Sequence, residues 1–211
     1  GLRSRPSPRS TTRGTGATCG TRTFYFSRLS RFSRQSRGAA LFTLSSAACY
    51  AVPYLMTHPA VHHSPVPAPD IVLYHADCLD GFGAAWAIWK KFPSITFTPV
   101  KHGLPPPPGL SGKKIVIVDF SYPRPTLEAL AKDAASLLVL DHHVTAEKAL
   151  AGLPYTCFDQ KKSGAVLAWE WAHQQPAPWL LLHIQDKDLW QWALPGSREV
   201  NAALSSYPYD F

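Results

Sequence analysis

Three short apolar runs, each ending in an acid or a histidine, constrain this chain more than any other feature. Ile71-Val72-Leu73-Tyr74 runs into His75, Ile115-Val116-Ile117-Val118 into Asp119, and Leu137-Leu138-Val139-Leu140 into Asp141-His142-His143. Runs this short and this uniformly apolar suit strands covered on both faces, the condition of a parallel sheet between helices. The intervening segments supply the helices. Gly81–Phe92 carries Phe82, Ala85, Trp86 and Trp89 at i, i+3, i+4 and i+7. Pro125–Ala135 opens on a proline, Ser163–Gln174 has Ser163 as its N-cap, and Trp179–Asp188 reads as a fourth helix. Ile95–Val100 adds a strand, and Pro105–Pro108 is a stiff, extended loop. The β-α-β-β-α-β-α order predicts an α/β fold with a mainly parallel sheet flanked by helices.

In such sheets ligands bind at the carboxyl ends of the strands. Here that edge receives His75, Asp77 and Asp80 from the first strand, Asp119 from the second and Asp141, His142 and His143 from the third. Asp80 alone would be unremarkable, since aspartate often caps a following helix. Carboxylates delivered together by three strands repel, and a cation is the usual remedy. Oxygen ligands with imidazole suit Mn²⁺, Mg²⁺ or Zn²⁺. The four cysteines, Cys19, Cys49, Cys78 and Cys157, form no C-x-x-C pair, which argues against a zinc ribbon or a small disulfide scaffold. No G-x-x-x-x-G-K-[ST] run and no G-x-S-x-G elbow occurs, which disfavours P-loop and serine-hydrolase chemistry.

The formal charge of +7 is misleading until it is located. Residues 1–69 hold nine arginines, no lysine and no acid; the other 12 basic residues face all 14 acids, so the remainder is slightly acidic. An Arg/Ser/Thr-rich, acid-free leader has the composition of an organelle transit peptide, so a mitochondrial or plastid location is expected, and otherwise a cytoplasmic one. Residues 1–65 are expected to form a basic, disordered or targeting segment, and residues 70–211 the folded domain. The apolar stretch 39–56 is short for a membrane span, so no membrane association is expected unless it anchors. The charge implies no stable nucleic-acid complex.

Four motifs in order add a family resemblance. His75-x-x-x-x-Asp80-Gly81, Val118-Asp119, Asp141-His142-His143 and Ile184-Gln185-Asp186-Lys187-Asp188-Leu189-Trp190, with Lys162-Ser163-Gly164-Ala165 opening a helix between the last two, resemble the DHH phosphoesterases. That superfamily includes RecJ-like exonucleases, oligoribonucleases, cyclic-nucleotide phosphodiesterases and exopolyphosphatases. The resemblance implies a DHH-type domain that hydrolyses phosphodiester or phosphoanhydride bonds through water activated by two metals, with Mn²⁺ expected and Mg²⁺ possible. The implied substrate is a phosphorylated small molecule or short oligonucleotide. The implied metal ligands are His75, Asp77, Asp80, Asp119, His142 and Asp186. Asp119 bridges, His143 faces the phosphate, and Asp119, His142 and His143 form the catalytic set. Asp141 orients a histidine from behind, while Asp188 is assigned a helix or salt-bridge role. The first motif departs from the family, with Cys78 standing two before Asp80 where an acid is usual; Asp77 takes that place through a shifted turn, or Cys78 itself meets a metal, or Cys78 is a small buried residue, the commoner fate of cysteine. The family's C-terminal substrate-binding domain is expected but has no counterpart motif here. A degenerate, non-catalytic binding or scaffold module is therefore the alternative, and the oligomeric state stays open.

Overall fold

The computed structural model describes residues 65–211. The leader over 1–64, with its apolar stretch 39–56, lies outside the described residues, and the expectations placed on it lie there too. The elements are β1 (Ile71–His75), α1 (Leu79–Trp89), β2 (Thr96–Val100), β3 (Lys114–Val118), α2 (Arg124–Asp133), β4 (Ser136–Asp141), α3 (Val144–Leu150), β5 (Thr156–Phe158), α4 (Gly164–His173), α5 (Trp179–Asp188) and α6 (Ser197–Leu204). The five strands form one sheet in the order β2-β1-β3-β4-β5, and every neighbouring pair is parallel. The α/β fold expected from the apolar runs is the fold observed.

Alternation along the strands divides the core in two. Val72 and Tyr74 of β1, Val116 and Val118 of β3 and Leu140 of β4 pack with α1, α4 and α5 through Ala84, Ile88, Ala165 and Leu181. Ile71, Leu73, Ile115, Ile117 and Val139 point the other way, onto Leu127 of α2 and Leu150 of α3. Burying each of the valine, leucine and isoleucine side chains is worth about 1.5–3 kcal/mol, so the strands are clamped from both faces. This is why the runs could not alternate with polar residues.

The order of the strands makes the site. From β1 the chain moves outward to β2, then returns past β1 to β3 and continues to β4 and β5. The direction of winding reverses between β1 and β3, and a crevice opens at their carboxyl ends. Register keeps the strand ends level: Tyr74 pairs with Val118, and Val118 with Leu140. His75, Asp119 and Asp141 therefore follow at one height. Small residues then bring α1 and α4 close. A Cβ on Gly83 would lie 3.1 Å from both Ala165 Cβ and Ile184 Cδ1. That approach carries the start of α4 onto the start of α1, beside the crevice. Among the described residues no helix is long and apolar enough to cross a membrane.

Candidate metal centre

Asp119 sits at the middle of the crevice. Its backbone takes a left-handed conformation (φ 53°) immediately after β3, one that aspartate tolerates better than most side chains. Its side chain is 2% exposed and turns its two oxygens to different partners. Oδ1 lies 3.2 Å from His142 Nε2, and Oδ2 lies 3.5 Å from His75 Nδ1. His142 Nε2 also lies 3.8 Å from Asp80 Oδ2 and 3.5 Å from Asp188 Oδ2. On the His75 side, Cys78 joins: His75, Cys78 and Asp119 each offer a donor atom within 4.8 Å of the others. Asp80, His142 and Asp188 meet the same criterion on the other side.

Local structure explains each placement. Asp80 stands in the first turn of α1, and its carboxylate accepts from the N–H groups of Gly164 (2.6 Å) and Ala165 (3.1 Å) at the start of α4. A helix N-terminus favours an anion, so α4 stabilises the charge that β3 and α5 oppose. Glycine at 164 is required by space, because a Cβ there would lie 2.5 Å from Asp119 Cβ and 2.9 Å from Asp80 Oδ2. Asp141 holds the β4–α3 turn. Its Oδ1 accepts from the His142 and His143 N–H groups (2.7 and 3.2 Å) and contacts His143 Nδ1 at 2.6 Å, while Ser121 Oγ donates to Oδ2. With both oxygens so engaged, Asp141 acts as the support of the His143 ring through Nδ1. His143 lines a cavity of about 720 Å³ walled by Leu104, Pro105, Phe120 and Tyr122.

The electrostatics are those of carboxylates and imidazoles packed together and perturbing one another. Burial pushes the Asp80 carboxyl well above its usual range, and Asp119 and Asp188 push it further. Burial likewise raises Asp188, and Asp119 adds to the rise. Burial also works against Asp119 ionising, but His142 and His75 overcome it and hold the group down at about 2. His142 is opposed by burial yet raised to about 9 by Asp119, Asp80 and Asp188. Asp119 and then Cys78 raise His75 to about 10. His143 is raised chiefly by Asp141. Even so, His75 Nδ1 and Asp119 Oδ2 are buried without a hydrogen-bond partner. Such a pair of facing, unsatisfied ligand atoms fits a divalent ion between them.

Of the residues singled out in the sequence, the fold brings His75, Asp80, Asp119 and His142 together, with Asp141 and His143 alongside. Two are elsewhere. Asp77 turns out at φ 56°, is 76% exposed and pairs with Lys101. No shifted turn brings it in, and Cys78 occupies that corner. Asp186 is buried, but its oxygens accept from the N–H groups of Ala193 (2.8 Å) and Leu194 (3.1 Å), which ties down the turn after α5. Asp188, assigned only a helix or salt-bridge role from sequence, is the α5 acid at the cluster. A signal for it existed in spacing alone: Asp188 follows Leu181 at i+7 and Ile184 at i+4, although Asp186 is the acid of α5 that is itself buried.

No protein-family model matches this chain. The chain is 32% identical over 161 residues to the uncharacterized protein R106 of Acanthamoeba polyphaga mimivirus, a match taking in 67% of this chain and 38% of that protein. The chain thus corresponds to well under half the length of the viral protein. In three dimensions it resembles the crystal structure of an uncharacterized protein from Helicobacter pylori G27. The TM-score is 0.52 with 13% identity, over 64% of this chain and 48% of the other. That likeness concerns the fold alone.

Proposed function

We propose that this chain is a divalent-metal-dependent phosphohydrolase of the DHH type, acting on a phosphorylated small molecule or a short oligonucleotide. The observation that carries the reading is Asp119, a buried carboxylate whose two oxygens face two separate donor sets, His75–Cys78 and Asp80–His142–Asp188. Ions held there would supply a water of lowered pKa and positive charge against the attacked phosphate. The Asp80–His142–Asp188 half offers only oxygen and nitrogen, which suits Mn²⁺ or Mg²⁺. Asp119 fixes the spacing of the two donor sets, and its depressed pKa keeps it ionised at any physiological pH. His143 serves substrate. Asp141 keeps its ring oriented and favours its protonated form, so Nε2 donates to a phosphate oxygen reaching in from the 720 Å³ cavity.

The test is hydrolysis by the full chain, stripped of metal and resupplied with Mn²⁺ or Mg²⁺, of short RNA, a cyclic dinucleotide and polyphosphate. Metal-dependent release of phosphate or nucleotide from any of them, lost in Asp119→Asn, supports the proposal. A folded, metal-loaded protein inert toward all of them counts for the second reading, a non-catalytic module. One observation favours that reading: His142 lies within 4 Å of three carboxylates, so a protonated imidazole alone offsets part of their charge.

A further inference from the structure

We infer that His75, Cys78 and Asp119 form a thiolate-bearing metal site that prefers a thiophilic divalent ion, zinc foremost, over manganese or magnesium. The inference rests on the cluster holding metal, as the proposed function does, but not on hydrolysis.

Four observations converge on this corner. The donor atoms of the three residues lie within 4.8 Å of one another. Two of them, His75 Nδ1 and Asp119 Oδ2, are buried without a hydrogen-bond partner, and the Asp119 side chain is almost wholly enclosed. Cys78 is the N-cap residue of α1, yet its side chain makes no capping hydrogen bond and the thiol interacts with His75 instead. The neighbouring carboxylate, Asp77, is turned outward to Lys101 and leaves the corner to sulfur. Gly81 makes the arrangement possible. A Cβ at that position would lie 2.2 Å from the His75 carbonyl oxygen, so only glycine lets the first turn of α1 sit against the end of β1, with Cys78 beside His75.

The donor chemistry then selects the metal. One thiolate, one imidazole and one carboxylate are the ligand types of zinc, and three protein ligands leave a fourth tetrahedral position for water or a phosphate oxygen. Magnesium binds oxygen almost exclusively, and manganese gains little from sulfur. A coordinating thiol loses its proton to solvent as the metal–sulfur bond forms. The two halves of the cluster therefore differ: Asp80, His142 and Asp188 present no sulfur. Asp119 gives one oxygen to each.

Cobalt(II) reports on sulfur ligation directly, because thiolate–cobalt coordination produces an intense near-ultraviolet charge-transfer band. The metal-stripped full chain titrated with Co²⁺ is expected to develop that band, and Zn²⁺ to displace it at a concentration at least on the order of tenfold below that of Mn²⁺. Cys78→Ser should bind Co²⁺ without the band. Cys78→Asp should lose the band and shrink the zinc-over-manganese preference by roughly tenfold or more. X-ray absorption of the zinc-loaded native chain should find one sulfur neighbour at about 2.3 Å, a readout that does not depend on any variant folding. Metal binding with no charge-transfer band and no sulfur neighbour would overturn this inference while leaving the metal-dependent function standing. Failure of the folded chain to bind any divalent ion would overturn both.

Discussion

Replacing Gly164 by alanine adds one methyl group to the most crowded point of the cluster and removes no ligand. The new Cβ would lie 2.5 Å from Asp119 Cβ, and 2.9 Å from both Asp119 Oδ1 and Asp80 Oδ2. Carbon atoms in contact sit about 3.5–4.0 Å apart, so Asp119 or α4 must retreat by roughly 1 Å or more. Asp119 has nowhere to go, being enclosed and already in a left-handed backbone conformation. Retreat of α4 instead breaks the Gly164 and Ala165 hydrogen bonds to Asp80. Overpacking of this kind costs about 1–3 kcal/mol, offset by up to about 1 kcal/mol of alanine's helix preference. A net loss of about 1–2 kcal/mol lowers Tm by roughly 2–8 °C in a chain of this size. Metal affinity should fall more steeply, by about tenfold or more, because the displaced atoms are the proposed ligands. Gly83→Ala, whose Cβ would meet Ala165 Cβ and Ile184 Cδ1 at 3.1 Å, presses on the same α1–α4 approach from its apolar side and should also cost stability. Denaturant melts of both variants with and without Mn²⁺, together with calorimetric titration, give the comparison. A Gly164→Ala protein with native stability and native metal affinity would refute the close packing of α4 on Asp119 and Asp80.

Asp188→Asn should leave the metal-free protein as stable at neutral pH or more so, because a raised carboxyl pKa means that its charge opposes folding there; the same change should weaken metal binding. Asp186→Ala should do the reverse, costing about 1–3 kcal/mol by freeing the Ala193 and Leu194 N–H groups while the folded variant keeps its metal stoichiometry. In the metal-free protein the contribution of His142 is full below about 6.5 and fades as pH rises through about 9. The stability gap between native protein and His142→Gln, followed by denaturant titration, should therefore narrow across that window. Asp77→Asn should change stability by less than about 0.5 kcal/mol and leave metal content untouched, since asparagine keeps the left-handed turn and the partner Lys101 is a surface residue.

Much of the fold was legible because burial on both faces leaves a plain imprint. Ile115–Val118 and Leu137–Leu140 admit no polar residue, and the observed strands fall where those runs are. The elements that sequence reading did not resolve are those with little to bury. In α3 only Leu150 is buried, in α6 only Ser197 and Asn201, and β5 is a three-residue edge strand with every position half-exposed. In the site, strand ends were readable because the side chain that follows an apolar strand has one place to go. Asp77 against Cys78 was not, because the choice depends on a left-handed turn at Asp77 that no local residue preference dictates. The placement of Asp186 against Asp188 was not readable for another reason. Two residues apart on a helix face nearly opposite ways, and motif likeness outweighed the i+7 and i+4 spacing of Asp188 from Leu181 and Ile184.

The central claim is that the strand-end cluster binds divalent metal through Asp119. Its most direct test is calorimetric titration of the purified, chelator-treated full chain with Mn²⁺, alongside Asp119→Asn shown to be folded by circular dichroism. The account predicts saturable binding by the native chain and a loss of affinity on the order of a hundredfold in the variant, since one carboxylate serves both donor sets. Native protein that takes up no Mn²⁺, or an Asp119→Asn variant that binds it equally well, would contradict the account.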